Sequence, residues 1–247
     1  MNYKTFGEGK PVLILHGWGG KSDSWLCVGE LLAENGFQVI VPDLPGFGKS
    51  QEPKNPWTIE DYLRFVESFI VGLEIGQFYL IGHSMGGGLS VMYAANNRLA
   101  VQGLVLCDSA VIRKERLDCR QSCAKKMALA KKLFVKMPIF KKILPFGQKI
   151  VYKIAGVQDY HLASPVMKET FGNIIKADLQ KNAAQVAIPT LIVWGGRDKS
   201  TPIEDAYILQ HLIPGAILKV IKEAGHNPHR QVPERLVEIL LGFIKNK

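Results

Sequence analysis

The stretch Phe78-Tyr79-Leu80-Ile81-Gly82-His83-Ser84-Met85-Gly86-Gly87-Gly88 decides how this 247-residue chain is read. Four apolar residues without alternation predict a buried strand, and a helix-like segment follows to about Asn96. Between them stands a serine with a glycine two positions away on each side. A turn that tight forces an unfavourable backbone angle at its tip and brings strand and helix into contact, so its neighbours must lack a Cβ. The Ser84 hydroxyl then stands clear of the sheet. The N–H of Met85 lies at a helix start, where it points at any oxygen that gains negative charge. A glycine-rich connection with an idle serine has the same sequence, so the rest of the chain must decide between the two.

Working outward, Val12-Leu13-Ile14-Leu15 is a second unalternating apolar strand, running into His16-Gly17-Trp18-Gly19-Gly20. Ser22 and Asp23 are expected to cap a helix over Trp25 to Glu34, stopped by Asn35-Gly36. Phe37 to Val41 is the next strand, and Pro42 to Ser50 the turn after it. Thr58-Ile59-Glu60-Asp61 is a capping box opening an amphipathic helix with Tyr62, Phe65, Val66, Phe69 and Ile70 on its apolar face. Val101 to Cys107 is a strand ending at Asp108. After a break the alternation resumes with the strand Thr190 to Trp194 and the loop Gly195-Gly196-Arg197-Asp198. Thr201-Pro202-Ile203-Glu204 reads as a helix start with a capping threonine. Ala216 to Ile221 is a strand, Glu223-Ala224-Gly225-His226 a loop, and Pro233 the start of a terminal helix.

Strands alternating with helices of this length imply right-handed crossovers. The expected fold class is therefore α/β, a mostly parallel twisted sheet with helices on both faces and its functional loops at the strands' C-terminal ends. Residues 1–110 and 188–247 form this core. Residues 111–187 break the alternation, look helical, are divided by Pro138, Pro145 and Pro165, and are expected to form an inserted helical cap, or lid.

The formal net charge of +9 is localised: residues 111–182 hold 16 Lys and Arg against 5 Asp and Glu, and the remainder 15 against 17. Basicity confined to one segment, without a recognition motif, argues against a nucleic-acid partner. Lysines from Lys125 to Lys142 recur among Met127, Leu129, Leu133, Phe134, Met137, Phe140 and Leu144. That pattern fits a lid with an apolar underside better than the alternative, a basic amphipathic helix in weak contact with an anionic surface. The sequence leaves the oligomeric state open.

Cys27, Cys107, Cys119 and Cys123 form no metal-ligand pair and no secreted framework, so they read as reduced thiols. The N-terminus has no apolar leader region and no run approaches a membrane span, which gives the expectation of a soluble cytoplasmic protein.

Serine is a poor nucleophile at neutral pH and needs a base, which in turn needs an orienting acid. Asp198 and His226 each lie just past a strand, giving the chain order Ser84, Asp198, His226. With that order, the chain resembles the α/β-hydrolase superfamily along nearly its whole length, least so in the cap. His16-Gly17-Trp18-Gly19 matches the family's oxyanion loop, Asp43 to Ser50 its D-x-x-G-x-G-x-S turn, Trp194 to Asp198 its acid loop and Gly225-His226-Asn227-Pro228-His229 its histidine loop. Gln231 stands where many relatives carry Glu, a departure expected to alter local hydrogen bonding.

The resemblance implies a carboxylic ester hydrolase with an acyl-enzyme on Ser84, His226 as base and Asp198 as the orienting acid. It also implies an oxyanion site from the amides of Trp18 and Met85 beside Gly17, and it calls for no metal or organic cofactor. The substrate it implies is a small-molecule ester with small or medium, largely apolar groups. The same scaffold serves carbon–carbon bond hydrolases of the meta-cleavage type, whose relatives usually carry a proline where this chain has Gly19-Gly20-Lys21. It also serves cofactor-free perhydrolases and non-enzymatic ligand receptors. Asp108 is an alternative acid that matches the family position less well. His83 is expected to pack against the sheet and His16 to brace the oxyanion loop, while His161, His211 and His229 have no partner that the sequence identifies.

Overall fold

The computed structural model describes residues 1–112 and 163–245. Seven strands lie in one sheet: β1 (Tyr3–Phe6), β2 (Lys10–Leu15), β3 (Phe37–Pro42), β4 (Phe78–His83), β5 (Val101–Cys107), β6 (Thr190–Gly195) and β7 (Ile217–Ile221). Their spatial order is β1-β3-β2-β4-β5-β6-β7. Only β1 is antiparallel to its neighbour, and every other pairing is parallel. The apolar runs are unalternating because both faces of the sheet are covered. Leu13, Leu80, Leu104 and Ile192 pack on one side, whereas Val12, Ile14, Tyr79, Ile81, Val105 and Val193 pack on the other.

The first side is covered by α2 (Ile59–Leu73), α3 (Met85–Asn96), α5 (Gln180–Gln185) and α6 (Ile203–Leu212), and the second by α1 (Leu26–Ala33) and α8 (Pro233–Ile244). Two further helices among the described residues are α4 (Pro165–Ile174) and the one-turn α7 (Pro228–Gln231). At the start of α2 the capping box is present: the Thr58 N–H donates to the Asp61 carboxylate at 2.7 Å, and the Asp61 N–H to Thr58 Oγ1 at 3.4 Å. Burial of Ile59, Tyr62, Val66, Phe69 and Ile70 then fixes which side of α2 meets the sheet.

Ser22 and Asp23 do not cap α1, contrary to the sequence-based expectation. They form a 3-10 turn over Ser22–Trp25, and α1 starts only at Leu26. The reason is tertiary: the Ser22 N–H donates to Asp43 Oδ1 at 2.6 Å, and Asp23 pairs with Lys4 and Lys21.

Of the expected cap, residues 113–162 lie outside the described residues, and with them the lysines from Lys125 to Lys142, Cys119, Cys123 and His161. Its described part is fastened to the loop after β3. Thr170 is buried and its Oγ1 accepts the Trp57 N–H at 2.9 Å, and Met167 fills the space above Gly46. Cys27 and Cys107 are free thiols, exposed and buried respectively. No helix among the described residues is long and apolar enough to cross a membrane.

Candidate active site

Parallel register sets the site. Leu15 pairs with Gly82, Gly82 with Leu106, Cys107 with both His83 and Val193, and Gly195 with Ile221. The loops after β2, β4, β5, β6 and β7 therefore all emerge at one edge.

Ser84 sits between β4 and α3 with φ 51° and ψ −118°, in the region that disfavours any side chain. The strain is held by its surroundings. The Ser84 N–H donates to the Cys107 carbonyl at 3.1 Å, and the Ser84 carbonyl accepts from Gly87 at 3.0 Å and Ala110 at 2.9 Å. A Cβ at Gly82 would lie 2.5 Å from the Gly86 carbonyl oxygen, and one at Gly86 would lie 2.1 Å from that of Leu15. Both are backbone atoms that cannot move aside, so the glycines are steric necessities.

His226 arrives from the loop after β7, with Nε2 3.1 Å from Ser84 Oγ and Nδ1 2.7 Å from Asp198 Oδ2. An ionised carboxylate only accepts, so Nδ1 carries the hydrogen and the lone pair on Nε2 faces the serine. Burial raises the Asp198 carboxyl's proton affinity, but the His226 contact, the Thr201 hydroxyl and the Ser200 N–H outweigh it and hold the group below the ordinary carboxylate range. Asp198 Oδ1 accepts the N–H groups of Ser200 at 2.6 Å and Thr201 at 3.1 Å, and Oδ2 accepts the Thr201 hydroxyl at 2.6 Å. Thr201 is thus not a helix cap as the sequence suggested. The residue before α6 is Pro202, and the threonine hydroxyl is turned back onto Asp198. An Asp with a threonine three residues on can form this turn, and that spacing was the available signal for Thr201.

His83 packs inside, as expected, and also makes a bond that the sequence did not show: its Nε2–H donates to the His226 carbonyl at 2.7 Å, fixing the histidine loop. His229, which the sequence left without a partner, stacks on Trp25 with centroids 4.2 Å apart and lies 4.7 Å from the His83 ring. His211 is exposed on α6. Gln231 Oε1 accepts the Gly225 N–H at 2.7 Å, so the amide still ties down the loop that carries His226.

Gly17 is pressed against the serine, since a Cβ there would lie 2.8 Å from Ser84 Cβ. Met85 opens α3, and its N–H, at the first helical position, has no residue four places back within the helix to accept it. Trp18 is half-buried beside Phe47 and Phe171, each with centroids 4.9 Å away, and so contributes to an aromatic wall next to Gly17. His16 braces the loop: its Nε2 accepts the Leu44 N–H at 3.0 Å, so Nδ1–H donates to the Gly17 carbonyl at 2.8 Å. Burial pushes His16 down to about 4, against smaller opposing contributions from Gly17 and Asp43.

Asp43, in the turn after β3, ties the same loop from below. It accepts the Ser22 N–H at 2.6 Å, the Lys49 N–H at 2.8 Å and the Asn2 side chain at 2.7 Å. An Asp43→Asn variant must turn its NH₂ towards one of those donors, leaving a buried pair of hydrogens face to face. We expect a loss of about 2–3 kcal/mol, read as a lower denaturant midpoint at unchanged slope.

Asp108 follows β5 with φ 44° and is fully buried. Its Oδ1 accepts the Gly195 N–H at 2.8 Å, while Oδ2 has no hydrogen-bond partner among the described residues. One ligand-type atom from each of Asp108, Asp198 and His226 lies within 4.8 Å of the others, a spacing that could suit a metal. Here Asp198 and His226 satisfy each other directly.

The serine, imidazole and carboxylate thus lie in a line, with two backbone loops closing on the hydroxyl. Such a line can move a proton from oxygen to nitrogen while the carboxylate steadies the resulting cation. The alpha/beta hydrolase fold family matches residues 10–132. An uncharacterized protein of Mycobacterium tuberculosis is 26% identical over 269 residues, covering 98% of this chain and 77% of that one. Lipase 1 of Psychrobacter immobilis is 29% identical over 235 residues, covering 89% of this chain and 72% of its own length. Among solved structures, the esterase EaEST of Exiguobacterium antarcticum superposes with a TM-score of 0.78 at 24% identity, covering 98% of this chain and 94% of that one. With the strand order, the strained serine turn and these likenesses in agreement, the chain belongs to the α/β-hydrolase superfamily.

Proposed function

We propose that this protein is a serine hydrolase of carboxylic esters with small or medium, largely apolar acyl or alcohol groups. The observation that carries the reading is the pair of contacts made by His226, 3.1 Å to Ser84 Oγ and 2.7 Å to Asp198 Oδ2. Ser84 Oγ attacks the ester carbonyl carbon while Nε2 of His226 takes the hydroxyl proton. The carbonyl oxygen becomes an oxyanion held by the N–H groups of Met85 and Trp18, a pair of donors each worth about 3 kcal/mol of transition-state stabilisation. The protonated imidazole, steadied by Asp198, gives its proton to the departing alcohol. Water then attacks the acyl carbonyl carbon as Nε2 of His226 takes its proton, and the imidazolium returns that proton to Ser84 Oγ as the acyl–oxygen bond breaks and the carboxylic acid leaves.

The apolar preference is supported by the Trp18, Phe47 and Phe171 rings beside this loop. The likeness to a lipase points the same way. The test is a series of p-nitrophenyl esters of increasing acyl length, with Ser84→Ala as the control. The reading requires turnover that disappears in the variant and a maximum at short or medium chains. Tight ligand binding without Ser84-dependent turnover would replace the enzyme by a receptor on the same scaffold.

A further inference from the structure

Asp108 is a buried carboxyl that the mechanism above does not use. Three observations set it apart from a packing residue. Its backbone is held at φ 44°, a conformation costly for a residue with a side chain. It is fully buried, with Oδ1 on the Gly195 N–H and Oδ2 unpartnered among the described residues. A carboxyl oxygen of its own lies within 4.8 Å of one of Asp198 and of an imidazole nitrogen of His226.

The geometry points to Asp108 as a positioning residue held in reserve, a second carboxyl that takes over the orientation of His226 when the Asp198 carboxylate is removed. This inference rests on the ester-hydrolase reading.

Two adjacent buried carboxyls cannot both be charged, and the local donors decide which one is. Asp198 accepts from Ser200, Thr201 and His226, whereas Asp108 accepts from Gly195 alone. Burial first, and then the neighbouring Asp198, hold the Asp108 proton affinity far above the carboxylate range against the Gly195 N–H. The titratable groups facing Asp108 are Asp198 on the loop after β6, His226 on the loop after β7 and Cys107 on its own strand. Removing the Asp198 carboxylate removes the repulsion and opens a space beside the imidazole. Two hydrogen bonds of about 2.8 Å through one water span up to roughly 4.9 Å, so one water is long enough to bridge atoms that lie within 4.8 Å of each other.

The consequence reverses ordinary conservative logic. In Asp198→Asn the Ser200 and Thr201 N–H groups hold the amide oxygen at the Oδ1 position, so the NH₂ faces His226 and blocks Asp108. In Asp198→Ala the space is open.

The experiment compares Asp198→Ala, Asp198→Asn, Asp108→Asn and the Asp108→Asn/Asp198→Ala double variant. Its readouts are the pH profile of p-nitrophenyl ester turnover, the rate of Ser84 labelling by a fluorophosphonate, and the carboxyl ¹³C shift of Asp108. Asp198→Ser, whose hydroxyl can accept the Ser200 N–H, stands in if the alanine variant fails to fold. Asp108→Asn alone measures what the amide costs at that position.

We expect Asp198→Ala to exceed Asp198→Asn by roughly tenfold or more in kcat/KM, and the double variant to lose that excess. We also expect Asp108 to be protonated at neutral pH in the wild type and ionised in Asp198→Ala. Equal rates for Asp198→Ala and the double variant across the pH range, or an ionised Asp108 in the wild type, would overturn the inference. Labelling that persists in Ser84→Ala would instead sink the hydrolase reading, while the ¹³C titration still reports on Asp108 by itself.

Discussion

Asp198→Asn lowers kcat/KM by about 10,000-fold without unfolding the protein, an effect of the size expected when the base is held in the wrong tautomer. The direction follows from the loop after β6. Asp198 Oδ1 accepts two backbone N–H groups, at 2.6 and 3.1 Å, and only an oxygen can do so. The amide nitrogen is therefore placed where Oδ2 was, 2.7 Å from Nδ1 of His226. That nitrogen donates, so Nδ1 must accept and the imidazole hydrogen moves to Nε2. The serine then faces a donor and keeps its proton. Ester turnover at limiting substrate measures the loss, and an unchanged circular dichroism melt shows that the loop survives. A loss of less than about tenfold would mean that the orienting group lies elsewhere.

The second large effect is an early loss of stability in acid. His16, His83 and His229 are buried and neutral. Burial pushes His16 down to about 4, His83 well below the ordinary histidine range and His229 down to about 3, and neighbouring cations or imidazoles add to the shift for the last two. In the unfolded chain each titrates near 6.5. As pH falls below that value the unfolded state binds three protons that the native state refuses, so stability is lost. Asp108 acts oppositely, keeping in the native state a proton that the unfolded carboxyl releases down to about pH 4. The net difference grows from about half a proton at pH 6.5, where the unfolded histidines are half charged, towards two protons near pH 5, or about 2.7 kcal/mol per pH unit there, and the protein should lose roughly 3 kcal/mol between pH 6.5 and 5. That is a large share of a domain's 5–15 kcal/mol. Urea unfolding across this range gives the slope directly. His229→Phe, which preserves the stack on Trp25, should lower the slope by one proton, and Asp108→Asn should raise it by one. A flat stability profile from pH 7 to 5 would contradict the burial of neutral histidines.

The order of strands and helices could be read from the sequence because each element carries its own signal. Val12 to Leu15, Phe78 to Ile81 and Leu191 to Trp194 are apolar without alternation, and only a sheet covered on both faces needs that. Ser84 was marked by glycines whose absent side chains are now seen to be filled by the backbone of Leu15 and Gly86. Signals failed where one residue had two uses. Ser22, Asp23 and Thr201 have the chemistry of helix caps, but Asp43 recruits the Ser22 amide and Asp198 recruits the Thr201 hydroxyl. A hydrogen bond donated to a carboxylate is charge-assisted and outweighs the neutral bond that a cap oxygen would accept from a partly solvated helix N–H, so the carboxylates win.

By itself the sequence determined the α/β alternation, the edge at which the loops gather and the three residue types that stand there, because hydrophobic periodicity and turn chemistry act over a few neighbours. Tertiary structure alone decided why Asp198 and not Asp108 carries the charge beside His226. Both follow strands, and although the resemblance names Asp198, the strands themselves hold no reason for it. The reason lies in the donors that meet each carboxyl: the neighbouring Ser200 and Thr201 amides and the distant His226 imidazole stabilise charge on Asp198, while burial against a single Gly195 amide denies it to Asp108.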